Sequence, residues 1–138
     1  MKALTVQQPF ASLIAYGEKT VEFRTWATDH RGALAICASA RNLGKLGDGR
    51  TIPYGVVVAT CLLKQCRPFT QADMEAACMD EMPKTEGYAW VLGAIKETHP
   101  QPIKGKQRLF EIEDMPEAIW DDSTQDHVDL FAAMSPML

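Results

Sequence analysis

Between residues 17 and 24 the chain reads Gly17-Glu18-Lys19-Thr20-Val21-Glu22-Phe23-Arg24, which brings an ammonium, a carboxylate and a guanidinium close together along the sequence. From Thr20 onward the residue types alternate, so a strand here directs Val21 and Phe23 to one face and Thr20, Glu22 and Arg24 to the other. An acid and a base then stand side by side on a non-core face, just beyond the flexible Gly17 and the charged Lys19. Such a group can move protons. Lys19 and Glu22 would serve as catalytic acid and base, with Lys19 or Arg24 stabilising a pentavalent phosphate during metal-independent cleavage of RNA at a 2'-hydroxyl. The same charges can instead form a salt-bridge network that only fixes the surrounding structure.

Aromatic rings beside positive charge are what the recognition of unstacked bases requires, and Trp26, Tyr54, Tyr88 and Trp90 are the candidates. Trp26 and Tyr54 lie near polar loops, whereas Trp90 alternates with Ala89 and Val91; such rings more often fill a core. Arg31, Arg41, Lys45 and Arg50 ring a loop side, where they would touch phosphates or stay solvated. Ser39 ends an apolar run and would hydrogen-bond a base edge, act as a nucleophile, or simply cap a strand. His30, His99 and His127 are scattered, with no i,i+4 pairing and no neighbouring cysteine, which argues against a metal site. No cofactor is expected.

The 138 residues, 46% of them hydrophobic, suffice for a single domain over 1–138 with one core and no staples. Cys37, Cys61, Cys66 and Cys78 lack CxxC spacing and the density of a disulfide scaffold, so they read as small core residues in a reducing compartment. Gln7-Gln8-Pro9 interrupts the opening strand pattern before a signal-peptide core or membrane span develops, which points to a cytoplasmic protein that does not engage membranes. The net charge of -4 hides an asymmetry: residues 1–67 balance at +5, from nine bases and four acids, and residues 68–138 at -9. The basic half could meet a phosphate backbone while the acidic half adds long-range repulsion.

The elements are short and mixed. Lys2 to Val6 is a predicted strand, and Pro9 opens a helix through Phe10, Leu13, Ile14 and Tyr16 that Gly17 stops. Strands are predicted over Thr20–Arg24, Ala33–Ala38, Val56–Leu63, Tyr88–Leu92 and Arg108–Ile112, the last two separated by Pro100, Pro102 and Gly105. Asn42 to Arg50 reads as a glycine-rich basic loop, Thr70 as the N-cap of a short helix through Met74, Ala77 and Cys78, and 114–138 as a helical tail beyond a core of 1–113. These strands follow one another too closely for crossover helices. The expected class is therefore α+β, a small mixed β-barrel of five or six strands flanked by short helices.

A set of anchors in order resembles the ASCH domain, of the PUA-like superfamily: Gln8-Pro9-Phe10-Ala11-Ser12-Leu13-Ile14, the 17–24 run followed by Thr25-Trp26, Arg31-Gly32, Pro53-Tyr54-Gly55, Tyr88-Ala89-Trp90-Val91-Leu92 and Lys104-Gly105-Lys106-Gln107. The resemblance covers residues 1 to about 113. It implies a PUA-like barrel with a basic cleft lined by the GxKxxExR residues, from Gly17 to Arg24, and an association with RNA or a nucleoside-type ligand. It also places the turn of Lys104 and Gln107 near that cleft, for substrate positioning. One branch of the family, amidohydrolases acting on an acetylated cytidine, resembles GxKTxTxR, with the second threonine as proposed nucleophile. Here Glu22 stands at that position, and a carboxylate cannot simply replace a hydroxyl in acyl transfer. Binding of RNA or a nucleobase is thus the leading expectation, ribonuclease activity the alternative, and hydrolysis of an N-acylated nucleoside the weakest. An acidic tail bearing Trp120, Val128, Leu130 and Phe131 would suit an interaction partner or a dimer; the oligomeric state is left open.

Overall fold

The computed structural model describes residues 1–41 and 52–113; the loop carrying Lys45 and Arg50 and the C-terminal tail lie outside the described residues. Strand β1 (Lys2–Val6) leads into helix α1 (Phe10–Ala15), then β2 (Val21–Arg24), β3 (Gly32–Ala38), β4 (Val56–Pro68), β5 (Tyr88–Pro102) and β6 (Leu109–Glu111). They form one six-stranded sheet in the order β2-β5-β4-β3-β1-β6. Among the described residues only β1 and β3 run parallel; every other pairing is antiparallel. The sheet curls into a half-barrel, the mixed barrel with few short helices that the alternating segments predict.

Helix α1 packs against β1, β3, β4 and β5. Ala11, Ile14 and Ala15 join Leu4, Val6, Leu34, Ile36, Ala59, Leu63, Trp90 and Leu92 in the main core. Cys61 is buried there and Cys37 in a smaller cluster with Ala3, Val57 and Phe110, and burial pushes their thiols up to about 12 and about 11, so both stay protonated at neutral pH; Cys66 and Cys78, also read as core residues, are only partly buried. Gln8 is buried at the start of α1, where its side-chain amide donates to Ser12 Oγ (2.7 Å) and to the Pro53 carbonyl (2.8 Å) and accepts from the Ser12 N–H. Gly17, at φ +80°, ends the helix as expected. No helix among the described residues is long and apolar enough to cross a membrane.

Three elements differ from expectation. Strands β4 and β5 run five and ten residues beyond their predicted ends at Leu63 and Leu92, and β5 passes through both Pro100 and Pro102. Only the first residues of β5 lie between β2 and β4; from Lys96 onward it pairs with β4 alone, leaving one edge where a proline owes no ladder hydrogen bond. The predicted helix after Thr70 shrinks to a 3-10 turn at Gln71–Asp73. Its cap is present, for Asp73 accepts from the Thr70 N–H, but Arg67 also grips the Asp73 carboxylate at 2.8 and 2.9 Å, and Cys78 sits at φ +56°. The backbone leaves helical geometry before a second turn forms.

Two measurements probe this scaffold. A Cβ at Gly87 would meet the Phe23 ring at 2.4 Å and the Arg24 carbonyl at 2.6 Å, so Gly87→Ala is expected to lower stability by about 1–3 kcal/mol in urea unfolding. The Arg67 guanidinium, with the Thr70 N–H, holds the Asp73 carboxyl down at about 2. A depressed folded-state pKa contributes stability above the ordinary carboxylate range, near 4, that is lost as pH falls towards 2. The loss of melting temperature between pH 4 and pH 2 should therefore be smaller in Asp73→Asn.

Candidate binding cleft

Gly17 allows the chain to turn back on α1: the N–H groups of Glu18 and Lys19 both donate to the Leu13 carbonyl, at 2.9 and 3.1 Å. Thr20 and Val21 then donate to the Ala76 carbonyl, which docks the start of β2 against the turns between β4 and β5. This path carries Lys19 inward. Its side chain is 3% exposed, its Nζ donates to the Ala77 carbonyl at 2.6 Å, and the ammonium lies 5.4 Å from the Phe10 ring centroid.

Glu22 lies between two cations. One carboxylate oxygen is 3.3 Å from Lys19 Nζ and the other accepts from Arg24 Nη2 at 2.9 Å. The same Nη2 donates to the Thr5 carbonyl of β1 at 2.7 Å, so a side chain on the edge strand β2 reaches across the open side of the curl. The face of β2 read as outward is therefore covered, with Glu22 itself only 8% exposed, because counter-charges from the flanking turn and backbone acceptors from β1 and from Ala77 meet it there. One carboxylate between two cations leaves the group net positive.

Between β1 and β2 a cleft of about 440 Å³ remains, lined by Thr5, Val6, Gln7, Phe10, Glu22, Phe23, Arg24, Thr25 and Trp26. Two polar atoms of its lining residues are buried with no hydrogen-bond partner, Arg24 Nε and Thr5 Oγ1. A buried donor and a buried hydroxyl in such a state carry a desolvation cost that a complementary ligand atom would relieve. Trp26 forms one wall. It meets Trp90 edge-on, with centroids 4.8 Å apart, and its carbonyl accepts from Trp90 Nε1 at 3.3 Å.

Of the residues singled out by sequence, Glu22, Arg24 and Trp26 come together on this cleft, while Lys19 supports it from behind without lining it. Gly17 stays exposed at the helix end, and Tyr54 packs beside Leu13 and Ile52. Arg31 is exposed and donates to the carbonyls of Thr28 and His30, and Ser39 caps the end of β3 by accepting from the Arg41 N–H. Lys104 and Gln107 are exposed on the segment between β5 and β6, whose Gly105 passes against Thr5 Oγ1. Thr5, Gln7 and Phe10 escaped the sequence reading, since nothing local distinguishes them from an ordinary strand end and helix start. Among the described residues no cluster of three His, Cys, Asp or Glu side chains could hold a metal ion.

Comparison with known proteins places this geometry. The model of the ASCH domain matches residues 4–103. The crystal structure of ASCH from Zymomonas mobilis has a TM-score of 0.61 at 16% identity, with 94% of this chain and 93% of that one covered; a mutant form of that protein gives 0.56 at 18%. At such identities the likeness is one of fold. A stretch of 38 residues, 28% of this chain, is 55% identical to Activating signal cointegrator 1 from Homo sapiens, and spans only 6% of that protein's length.

Removing the carboxylate tests the charge cluster. Glu22→Gln leaves the buried Lys19 and the partly buried Arg24 without their shared counter-ion, and a stability loss of about 3 kcal/mol is expected in chemical denaturation. Adding Lys19→Met should recover part of that loss, because the two sites are coupled.

Proposed function

The chain belongs to the ASCH domain family, related to the RNA-binding PUA-like fold, and on that premise we propose that the cleft between β1 and β2 binds RNA by receiving one unstacked nucleobase. The observation that carries this reading is the pair of unpartnered buried atoms, Arg24 Nε and Thr5 Oγ1, on two residues that line a cleft walled by Trp26 and Phe10. A base offers what they lack: a ring carbonyl or nitrogen to accept from Arg24 Nε, a second polar edge atom for the threonine hydroxyl, and a flat face for the aromatic walls. The net positive charge of the Lys19–Glu22–Arg24 group favours an electron-rich edge and a nearby phosphate.

Binding ranks ahead of catalysis on the position of Lys19. As general acid or phosphate stabiliser it would have to reach the scissile group, yet its ammonium is buried against Glu22 and the Ala77 carbonyl. Glu22 is likewise committed, with both oxygens in ion pairs, which disfavours it as a base in RNA cleavage and leaves the amidohydrolase reading without a nucleophile at that position.

Titration of short single-stranded RNA should reveal affinity that falls as salt rises. Thr5→Val preserves shape and removes an unpartnered hydroxyl, so stability should hold while affinity drops about tenfold. RNA that binds wild type and Thr5→Val alike would place the ligand elsewhere. RNA cleaved in the presence of EDTA by wild type but not by Glu22→Gln would favour the ribonuclease.

A further inference from the structure

The segment from Lys104 to Arg108, joining β5 to β6, touches two of the residues that line the cleft, Thr5 and Trp26. A Cβ built on Gly105 would lie 2.8 Å from Thr5 Oγ1, so the backbone there is laid directly against the cleft hydroxyl. At the other end, the Arg108 guanidinium stands 4.2 Å from the centre of the Trp26 ring. Arg108 is exposed, and its backbone lies at φ +61°, in the left-handed region that few non-glycine residues occupy. A long solvated side chain on a disfavoured backbone thus rests on the one tryptophan that lines the cleft. Trp26 is itself held by Trp90 through ring contact and hydrogen bond. Of the two partners in the cation–π pair, Arg108 is the one free to swing.

We propose that Arg108 occupies the seat of a base on Trp26 and that a phosphorylated nucleotide exchanges it: the base takes the ring face, and the guanidinium turns to the phosphate. This rests on the cleft being a nucleobase site, and it narrows the ligand class to nucleotides or polynucleotides over free nucleosides. The exchange follows from the strengths involved. An exposed cation–π contact is modest, while a guanidinium–phosphate pair is charge-assisted and bidentate. A nucleotide therefore repays the displacement of Arg108. A nucleoside displaces the same cation and returns nothing to it. Lys104 and Lys106, exposed on the same segment, add positive charge where the phosphate would arrive.

The test compares the nucleoside and the 5'-monophosphate of each RNA base, at constant ionic strength, by calorimetry and tryptophan fluorescence. Wild type should bind the better monophosphates about tenfold more tightly than their nucleosides. Arg108→Gly is the informative variant, because glycine accepts φ +61° and leaves the backbone undisturbed. An unchanged urea midpoint or a raised one verifies its fold. In it the phosphate preference should shrink to within about twofold, with nucleoside affinity equal to or above that of wild type. A preference that survives in Arg108→Gly overturns the exchange, as does an equal loss for nucleoside and nucleotide, which would mean that Arg108 only props Trp26. If wild type binds nucleosides with no phosphate preference, the exchange falls and the cleft remains a base site. If neither ligand binds, both fall.

Discussion

The Glu22 carboxylate, shared between Lys19 and Arg24, is the interaction on which the rest of the site depends. Burying three charges is costly unless each finds partners, and here the partners come from separate parts of the fold. Ala77 lies in the turns between β4 and β5, Thr5 at the end of β1, and Glu22 itself on β2. The chain of contacts from Ala77 through Lys19, Glu22 and Arg24 to Thr5 therefore ties the inserted turns to the opposite side of the curl. Remove the carboxylate and two cations face each other across the same space.

That arrangement explains why the sheet stays open without being loose. Strand β1 pairs with β6 only over Lys2–Leu4, and beyond that point its edge is met by the Arg24 guanidinium instead of a strand. The gap left between β1 and β2 is the cleft. Its unsatisfied polar atoms, Arg24 Nε and Thr5 Oγ1, belong to the same two residues that bridge it. The atoms of one side chain thus differ in their state: Nη2 bonds Glu22 and the Thr5 carbonyl, whereas Nε is buried without a partner.

Much of the scaffold was legible because its signals are local. The alternation at Thr20–Arg24, the stop at Gly17, the apolar run before Ser39 and the cap at Thr70 each depend on a few adjacent residues. What escaped depends on pairing at long range. The polar face of β2 reads as a non-core face until Thr5 and Ala77, far away in sequence, cover it. Pro100 and Pro102 read as strand breakers until the topology leaves β5 a free edge. Within the site, Glu22, Arg24 and Trp26 were visible through charge and aromaticity, whereas Thr5 became notable only when its hydroxyl emerged without a partner, and Arg108 when its side chain was found on an indole. Lys19, read from the sequence as a proton-transfer group or phosphate stabiliser, has its ammonium turned inward to an ion pair and a carbonyl.

The bridge from Arg24 to the Thr5 carbonyl has a consequence for how such a cleft can diversify. Where two strands pair by a ladder, their separation is fixed by backbone geometry and cannot change at one position alone. Here the spacing of the mouth is set by the reach of a single side chain. A shorter or longer residue at that point would rescale the opening while the remaining strands kept their register, so the width of the mouth is an adjustable property that the sheet does not have to be rebuilt to alter.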